Sequence, residues 1–203
     1  MRVLSTLLDF LFPPREAEKT VRNLLLNKVI LSINAAKVSD TFYLLSYGDE
    51  RVRALINENK FYQNENAALV LSKHLQRWVD EQNTAVTFIP IPLSKKRRKE
   101  RGYNQVTEVV KRLTSKNVKV FNSVLVRNKH TTPQTDLNKT DRQKNVRGAF
   151  LCNKPELLKE ISGTLVVLID DVITTGSTIN EARATLAPHL PKNTKLITLA
   201  LAH

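Results

Sequence analysis

The stretch that most limits what this chain can become runs from residue 166 to residue 178, VVLIDDVITTGST. Val166, Val167, Leu168 and Ile169 form an unbroken aliphatic row, the pattern of a strand buried on both faces in a parallel sheet. Asp170 and Asp171 close the row. The loop after them carries four hydroxyl side chains, Thr174, Thr175, Ser177 and Thr178, around one glycine, Gly176. A helical pattern follows at residues 178–189. A buried strand that runs through a short loop into a helix belongs in an α/β fold, and such folds bind ligands at the carboxyl ends of their strands.

The chemistry of that edge is legible residue by residue. Successive strand residues point to opposite sides, so Asp170 and Asp171 cannot share one role. At least one of them can face a ligand and accept hydrogen bonds from sugar hydroxyls. Backbone N–H groups and a helix N-terminus converge on an anion in the loop, and Gly176 permits the tight backbone that aims them. Acids for a diol beside amides and hydroxyls for a phosphate describe a sugar-phosphate site. Each piece alone could be an ordinary strand end with Thr and Ser as helix caps. Their unbroken register argues for the ligand.

The rest of the chain agrees with this class. Residues 41–47 are rich in β-formers and read as a strand. Helical patterns follow at 49–59, with Val52, Leu55 and Ile56 on one face, and at 66–79, with Leu69, Val70, Leu75 and Trp78. Residues 85–92 are a short β-rich run closed by prolines. A helix is expected at about 104–114 and strands at 118–127, 163–169 and 195–202. Alternating strands and helices predict an α/β fold with a mainly parallel sheet over residues 41–203. Residues 1–40 lack a clean period, although a helical pattern fits 17–36, and they read as a small N-terminal appendage. Residues 128–147 have no period and little apolar content, which marks a functional or disordered loop.

Charge narrows the partners. With 32 Lys+Arg against 19 Asp+Glu, the formal charge is +13 and the pI about 10.0. Such a surface attracts polyanions: nucleic acid, anionic lipid or phosphorylated ligands. Six of the seven residues 95–101 are cationic. Lys95, Lys96, Arg97 and Arg98 can grip a nucleic-acid backbone or neutralise a diphosphate, and a solvated charged loop is the plain alternative. Gly102, Tyr103, Asn104 and Gln105 follow. Tyr103 could stack a base or simply pack, and Asn104 and Gln105 can equally be caps and surface residues. The lone cysteine, Cys152, excludes an intrachain disulfide and a cysteine-based zinc site. No apolar run reaches the roughly 18 residues needed to span a bilayer. The apolar residues 1–12 make a poor signal peptide and read as a short helix on the domain, with a weak membrane-surface contact as the alternative.

The 166–178 block resembles the PRPP-binding signature of type I phosphoribosyltransferases. That resemblance implies that Asp170 and Asp171 bracket the ribose 2′- and 3′-hydroxyls. It also implies that Thr174, Thr175, Gly176, Ser177 and Thr178 hold the 5′-phosphate, and that Mg2+ comes with the diphosphate of PRPP. More of the chain is similar to ComF proteins, the phosphoribosyltransferase-like proteins associated with DNA uptake in natural transformation. The similarity is carried, in order, by Ile89-Pro90-Ile91-Pro92, Arg101-Gly102-Tyr103-Asn104-Gln105, Arg127, Gln134, Arg142 with Asn145-Val146 and Gly148-Ala149-Phe150, and the Asp170-Asp171 block. Residues 49–56 with Lys60-Phe61, and the leader-like residues 7–15, extend it. Glu16 stands where the family leader runs into paired cysteines, so the zinc module is absent or rebuilt without metal, and no zinc is expected.

Two functions remain open at this level. One is a cytoplasmic competence protein that binds PRPP and single-stranded DNA. Its partner expectations are a peripheral contact with the inner membrane face or with competence machinery, and a homo-oligomer is left open. The other is a catalytic phosphoribosyltransferase acting on a nucleobase, amine or other nucleophile. Catalysis there would come from positioning and charge stabilisation of the leaving diphosphate, with Lys99, Arg101, Lys129 and Arg142 as the candidate cations.

Overall fold

The computed structural model describes residues 13–29, 31, 36–38, 41–128, 148–161 and 163–203. Six strands form the central sheet: β1 (Ala36–Val38), β2 (Thr41–Leu45), β3 (Val86–Pro90), β4 (Val118–Val120), β7 (Leu165–Val172) and β8 (Lys195–Ala202). Their order across the sheet is β1-β2-β8-β7-β3-β4. Every pairing is parallel except that of β1 with β2 at the edge. A two-stranded antiparallel ribbon, β5 (Leu125–Arg127) and β6 (Phe150–Cys152), lies outside it. The α-helices among the described residues are α1 (Glu16–Leu26), α2 (Glu50–Phe61), α3 (Glu65–Asp80), α4 (Lys95–Arg101), α5 (Gln105–Val110), α6 (Pro155–Leu158) and α7 (Ser177–Leu186).

Strand β7 sits in the middle, between β3 and β8, and its residues 165–169 are all buried. The period of two sorts them onto two cores. Leu165, Val167 and Ile169 enter the larger core, built with α1, α2, α3 and α5. Val166 and Leu168 enter the second, with Leu125, Phe150, Ile179, Ala182 and Leu186. Full burial of one such aliphatic side chain stabilises by about 1.5–3 kcal/mol, so β7 anchors both layers. The same parity continues past Ile169. Asp171 shares the side of Val167 and Ile169, and Asp170 shares the side of Leu168.

Helix starts follow capping chemistry. The Asp49 and Asn64 side chains accept from the first N–H groups of α2 and α3, and Asn104 does so for α5. The basic run expected as a strand-end stretch is helical. Ser94 caps it, Arg97 N–H donating to Ser94 Oγ at 3.3 Å, and Gly102 closes it in the left-handed region at φ 77°. The strand expected at 118–127 is two strands in different sheets. β4 ends at Val120, Asn122 and Ser123 supply turn residues, and β5 resumes at Leu125 against β6. The last helix ends at Leu186 and tightens to a 3-10 turn at Ala187–His189, where Pro188 removes an N–H donor.

Of the described N-terminal residues, α1 packs on the sheet's helical layer and Ala36–Val38 join the sheet itself as its edge strand β1. Val21 and Leu24 of α1, and Leu31 after it, belong to the larger core. Arg15 reaches the buried Glu58 through two hydrogen bonds, 3.0 Å and 2.8 Å. The expectations for residues 1–12 and for the body of the loop at 128–147 lie outside the described residues. Among the described residues no helix is long and apolar enough to cross a membrane.

Candidate functional site

At the carboxyl end of β7 the chain opens into a cavity of ≈ 1020 Å³. Asp170, Asp171 and residues 172–178 form its floor and one wall. Residues 91–94, Lys96, Arg97 and Glu100 form another, and Tyr47, Lys60, Gln105, Arg127 and His203 complete it.

Parity of β7 gives the two acids different surroundings. Asp171, turned toward α2 and α5, is buried. Its Oδ2 sits 3.1 Å from Lys60 Nζ and accepts a 2.9 Å hydrogen bond from Gln105 Nε2, while Oδ1 accepts from the Val172 N–H at 2.8 Å. Burial alone would raise its carboxyl. The Lys60 ammonium, the Gln105 amide and the Val172 N–H outweigh that and hold it below the ordinary carboxylate range. Asp170 has no comparable set. Burial, and then the charge of Asp171 beside it, push its carboxyl up to about 8. Its Oδ1 accepts the Asp171 N–H at 2.9 Å. The two carboxyls are thus pushed in opposite directions, Asp171 toward the ionised form and Asp170 toward the protonated one.

Lys60 and Gln105 are themselves positioned from below. Lys60 is the penultimate residue of α2, and Asn59 beside it donates through Nδ2 to the Gln105 carbonyl at 3.1 Å. Asn104 ties the start of α5 to the end of β3, its Nδ2 donating to the Ile91 carbonyl at 2.9 Å. The segment 101–105 thus docks α5 on the sheet so that Gln105 meets Asp171.

The loop after β7 leads into a helix without a capping side chain, as at the starts of α1 and α6. The starts of α2, α3, α4 and α5 have side-chain caps, whereas α7 starts at Gly176, in the left-handed region at φ 73°, with no side-chain cap. The first N–H groups of an α-helix have no partner within the helix, and residues 174–178, which lead into α7, line the cavity. The Thr175 and Ser177 hydroxyls lie 3.0 Å apart beside them. A side chain at 176 would strain this backbone.

The expected site residues fall into four groups. Asp170, Asp171, Thr174, Thr175, Gly176, Ser177 and Thr178 come together around the cavity, as do Lys96 and Arg97. Lys95, Arg98 and Lys99 are exposed on α4 and are not among the residues lining it. Arg101 is half-buried; its Nη1 donates to Gln105 Oε1 at 3.2 Å, and burial, with repulsion from Arg97, lowers its basicity. Tyr103 is half-buried, its hydroxyl donating to the Asn59 carbonyl at 2.8 Å and accepting from the Gln63 N–H at 2.9 Å. Lys129 and Arg142 lie outside the described residues.

Sequence reading gave Lys60 no chemical role. A signal was present: α2 buries Val52, Leu55, Ile56 and Asn59, and position 60 continues that stripe at helical spacing. A lysine at the end of an apolar stripe points to a buried anion. Arg127, Tyr47 and His203 also line the cavity. His203 Nδ1 donates to the Ile173 carbonyl at 2.7 Å, and its ring stacks on Tyr43 with centroids 4.6 Å apart.

A carboxylate pair at the end of a central parallel strand, followed by a glycine-started helix, defines the phosphoribosyltransferase class of fold and site. Residues 59–203 match the phosphoribosyl transferase domain family, and the chain belongs to it. It is similar to Competence protein F of Haemophilus influenzae, with 39% identity over 95 residues, which are 46% of this chain and 41% of that protein. It is also similar to DNA utilization protein YhgH of Escherichia coli O6:H1, with 29% identity over 135 residues, 63% of this chain and 57% of that protein. The match thus spans about half the length of these relatives. The solved allosteric regulatory enzyme of purine biosynthesis overlaps 70% of this chain and 30% of its own, at TM-score 0.39 and 14% identity, too loosely to add to the assignment.

Proposed function

We propose that this chain binds PRPP in the cavity and single-stranded DNA along its basic rim, and serves DNA uptake. One observation carries the reading: the Asp170-Asp171 pair, with Asp171 held by Lys60 and Gln105, lines the same cavity as the Gly176 turn and the Thr175 and Ser177 hydroxyls. The pair suits a ribose diol and the loop suits its 5′-phosphate. The names of the relatives, Competence protein F and DNA utilization protein YhgH, support the link to DNA. The rim support is α4, with Lys96 and Arg97 facing the cavity and Lys95, Arg98 and Lys99 turned to solvent.

Magnesium fits these residues. It is usually held by one or two carboxylates together with substrate phosphates, and Asp170 is a cavity acid with a raised pKa that a nearby cation would lower. When bound with the diphosphate it would neutralise that group's charge. A cavity of ≈ 1020 Å³ is at the top of the roughly 300–1,000 Å³ range of small-molecule sites. That room favours a second occupant beside a sugar phosphate and keeps a catalytic phosphoribosyltransferase as the second reading.

The test is calorimetry with PRPP and Mg2+, run beside turnover assays against nucleobases and amines. Asp171→Asn removes a charged hydrogen-bonding partner and should weaken PRPP binding roughly ten- to a hundredfold. An unchanged dissociation constant would make the motif vestigial. Diphosphate release with any acceptor would favour the second reading.

A further inference from the structure

Two large aromatic residues stand exposed at the end of α2: Phe61 at 60% and Tyr62 at 54%. Neither belongs to a hydrophobic core. A single exposed Phe needs no explanation by itself. The surroundings of Phe61 are specific. The Lys60 ammonium lies 5.8 Å from the ring centroid and the Arg101 guanidinium 5.3 Å from it. These are the same two cations that the fold ties to Asp171, Lys60 directly at 3.1 Å and Arg101 through Gln105. The ring thus lies beside Lys60, which lines the cavity, without itself lining it. It also adjoins the last residue of α4, whose other cations run outward from it.

The neighbouring aromatics are committed elsewhere. The Tyr103 hydroxyl is bonded on both sides, to Asn59 and Gln63. Tyr62 carries the Arg15 guanidinium in direct contact, 3.7 Å from its ring centroid and closer than either cation comes to Phe61, and Arg15 is fixed by Glu58. That clamp sets the end of α2 and leaves Phe61 as the ring presented beside the cavity.

We infer that Phe61 is the stacking platform on which a nucleobase of single-stranded DNA rests at the mouth of the cavity. This deepens the DNA-binding reading and rests on it. Exposed aromatics beside a basic track are how single strands are bound without sequence preference, the base on the ring and the phosphates on the cations. Phe61 supplies the ring, Arg101 reinforces it as a cation beside the π-face, and α4 supplies the track.

The test is fluorescence anisotropy with labelled oligo(dT) and the same oligonucleotide carrying abasic sites, on the wild type and on Phe61→Ala, Phe61→Leu and Phe61→Trp. The Ala and Leu variants should lose roughly fivefold to a hundredfold in oligo(dT) affinity at an unchanged salt slope. Phe61→Trp should retain binding, and its emission should be quenched by oligo(dT) and not by the abasic strand. Because the side chain is exposed, the variants should fold normally, which circular dichroism checks. Wild-type-like affinity in Phe61→Ala and Phe61→Leu overturns the inference while leaving DNA binding standing. So does retained affinity in Phe61→Leu alone, which assigns the ring to packing. A wild type that binds no oligo(dT) overturns the DNA reading and this inference with it. Quenching of Phe61→Trp by free thymidine as strong as by the strand would assign the platform to a free base instead.

Discussion

Asp170→Asn separates what the fold tolerates at this carboxyl from what the site needs of it. Burial and the charge of Asp171 raise the Asp170 carboxyl from 3.8 to about 8. Between those values the folded chain holds a proton that the unfolded chain has released. Stability therefore falls as pH rises through that window, by at most about 1.4 kcal/mol per pH unit for one proton. It levels off above pH 8, and below the ordinary value both states hold the proton and the effect vanishes. Asparagine cannot ionise, and its Oδ1 can still accept the Asp171 N–H, now at 2.9 Å. The stability of the variant relative to wild type should therefore grow with pH, by up to about 3 kcal/mol between about pH 5 and about pH 7.5. Urea unfolding followed by the emission of Trp78, which lies in the larger core, measures it. Subtracting the two proteins at each pH cancels every other titrating group. A difference that stays flat across the window would show Asp170 ionised throughout and the reasoning from burial wrong.

Lys60→Gln removes the cation that holds Asp171 ionised, and breaking a buried ion pair costs about 3–5 kcal/mol when the remaining charge stays unpaired; the expected outcome is loss of PRPP binding by calorimetry, with partial recovery at higher pH as Asp171 ionises. Replacing Lys96, Arg97 and Arg98 together with alanine should flatten the salt slope of single-stranded DNA binding by up to roughly 2 units, at about 0.7 per phosphate contact. An unchanged slope would take α4 out of the DNA path. Purified protein should contain no stoichiometric zinc, and elemental analysis finding about one zinc per chain would refute that.

The fold was legible because its decisive element is nearly redundant in sequence. Four aliphatics ending in two acids allow little besides a central parallel strand, and β7 lies there. What stayed hidden depended on contacts distant in sequence. Lys60 and Asp171 are 3.1 Å apart in space and more than a hundred positions apart in the chain, so no local pattern pairs them. Gln105 sits in a recognisable motif, yet its partner is set by how Asn104 docks α5 on the Ile91 carbonyl. The helical state of residues 95–101 was obscured by composition. Like charges at i,i+4 destabilise a helix, so the six cations argue against one, and the deciding residues are Ser94 and Gly102, one at each end. The break at Asn122-Ser123 was readable from turn chemistry, but the apolar residues on both sides mask it.

The split between the two acids has a consequence for binding that their similarity in sequence conceals. A ribose presents two hydroxyls, and each can donate or accept. An ionised Asp171 can only accept, whereas a neutral Asp170 can donate as well. Near pH 7, Asp170→Asn therefore replaces one neutral donor-acceptor group by another, while Asp171→Asn removes a charge that Lys60, Gln105 and the Val172 N–H are arranged to hold. The two variants, chemically the same substitution one residue apart, should differ. The loss at 171 should reach the roughly ten- to hundredfold expected for a charged partner, and the loss at 170 should stay near the neutral hydrogen-bond range, about 0.5–1.5 kcal/mol. Above about pH 8 wild-type Asp170 ionises. If magnesium accompanies the ligand, the ionised form should then bind better than the asparagine variant, and the gap between wild type and Asp170→Asn should widen with pH. Calorimetry at pH values on either side of that point decides it. Equal losses for both variants at neutral pH would mean that the two acids act alike, and that the asymmetry built by the parity of β7 has no part in holding the sugar.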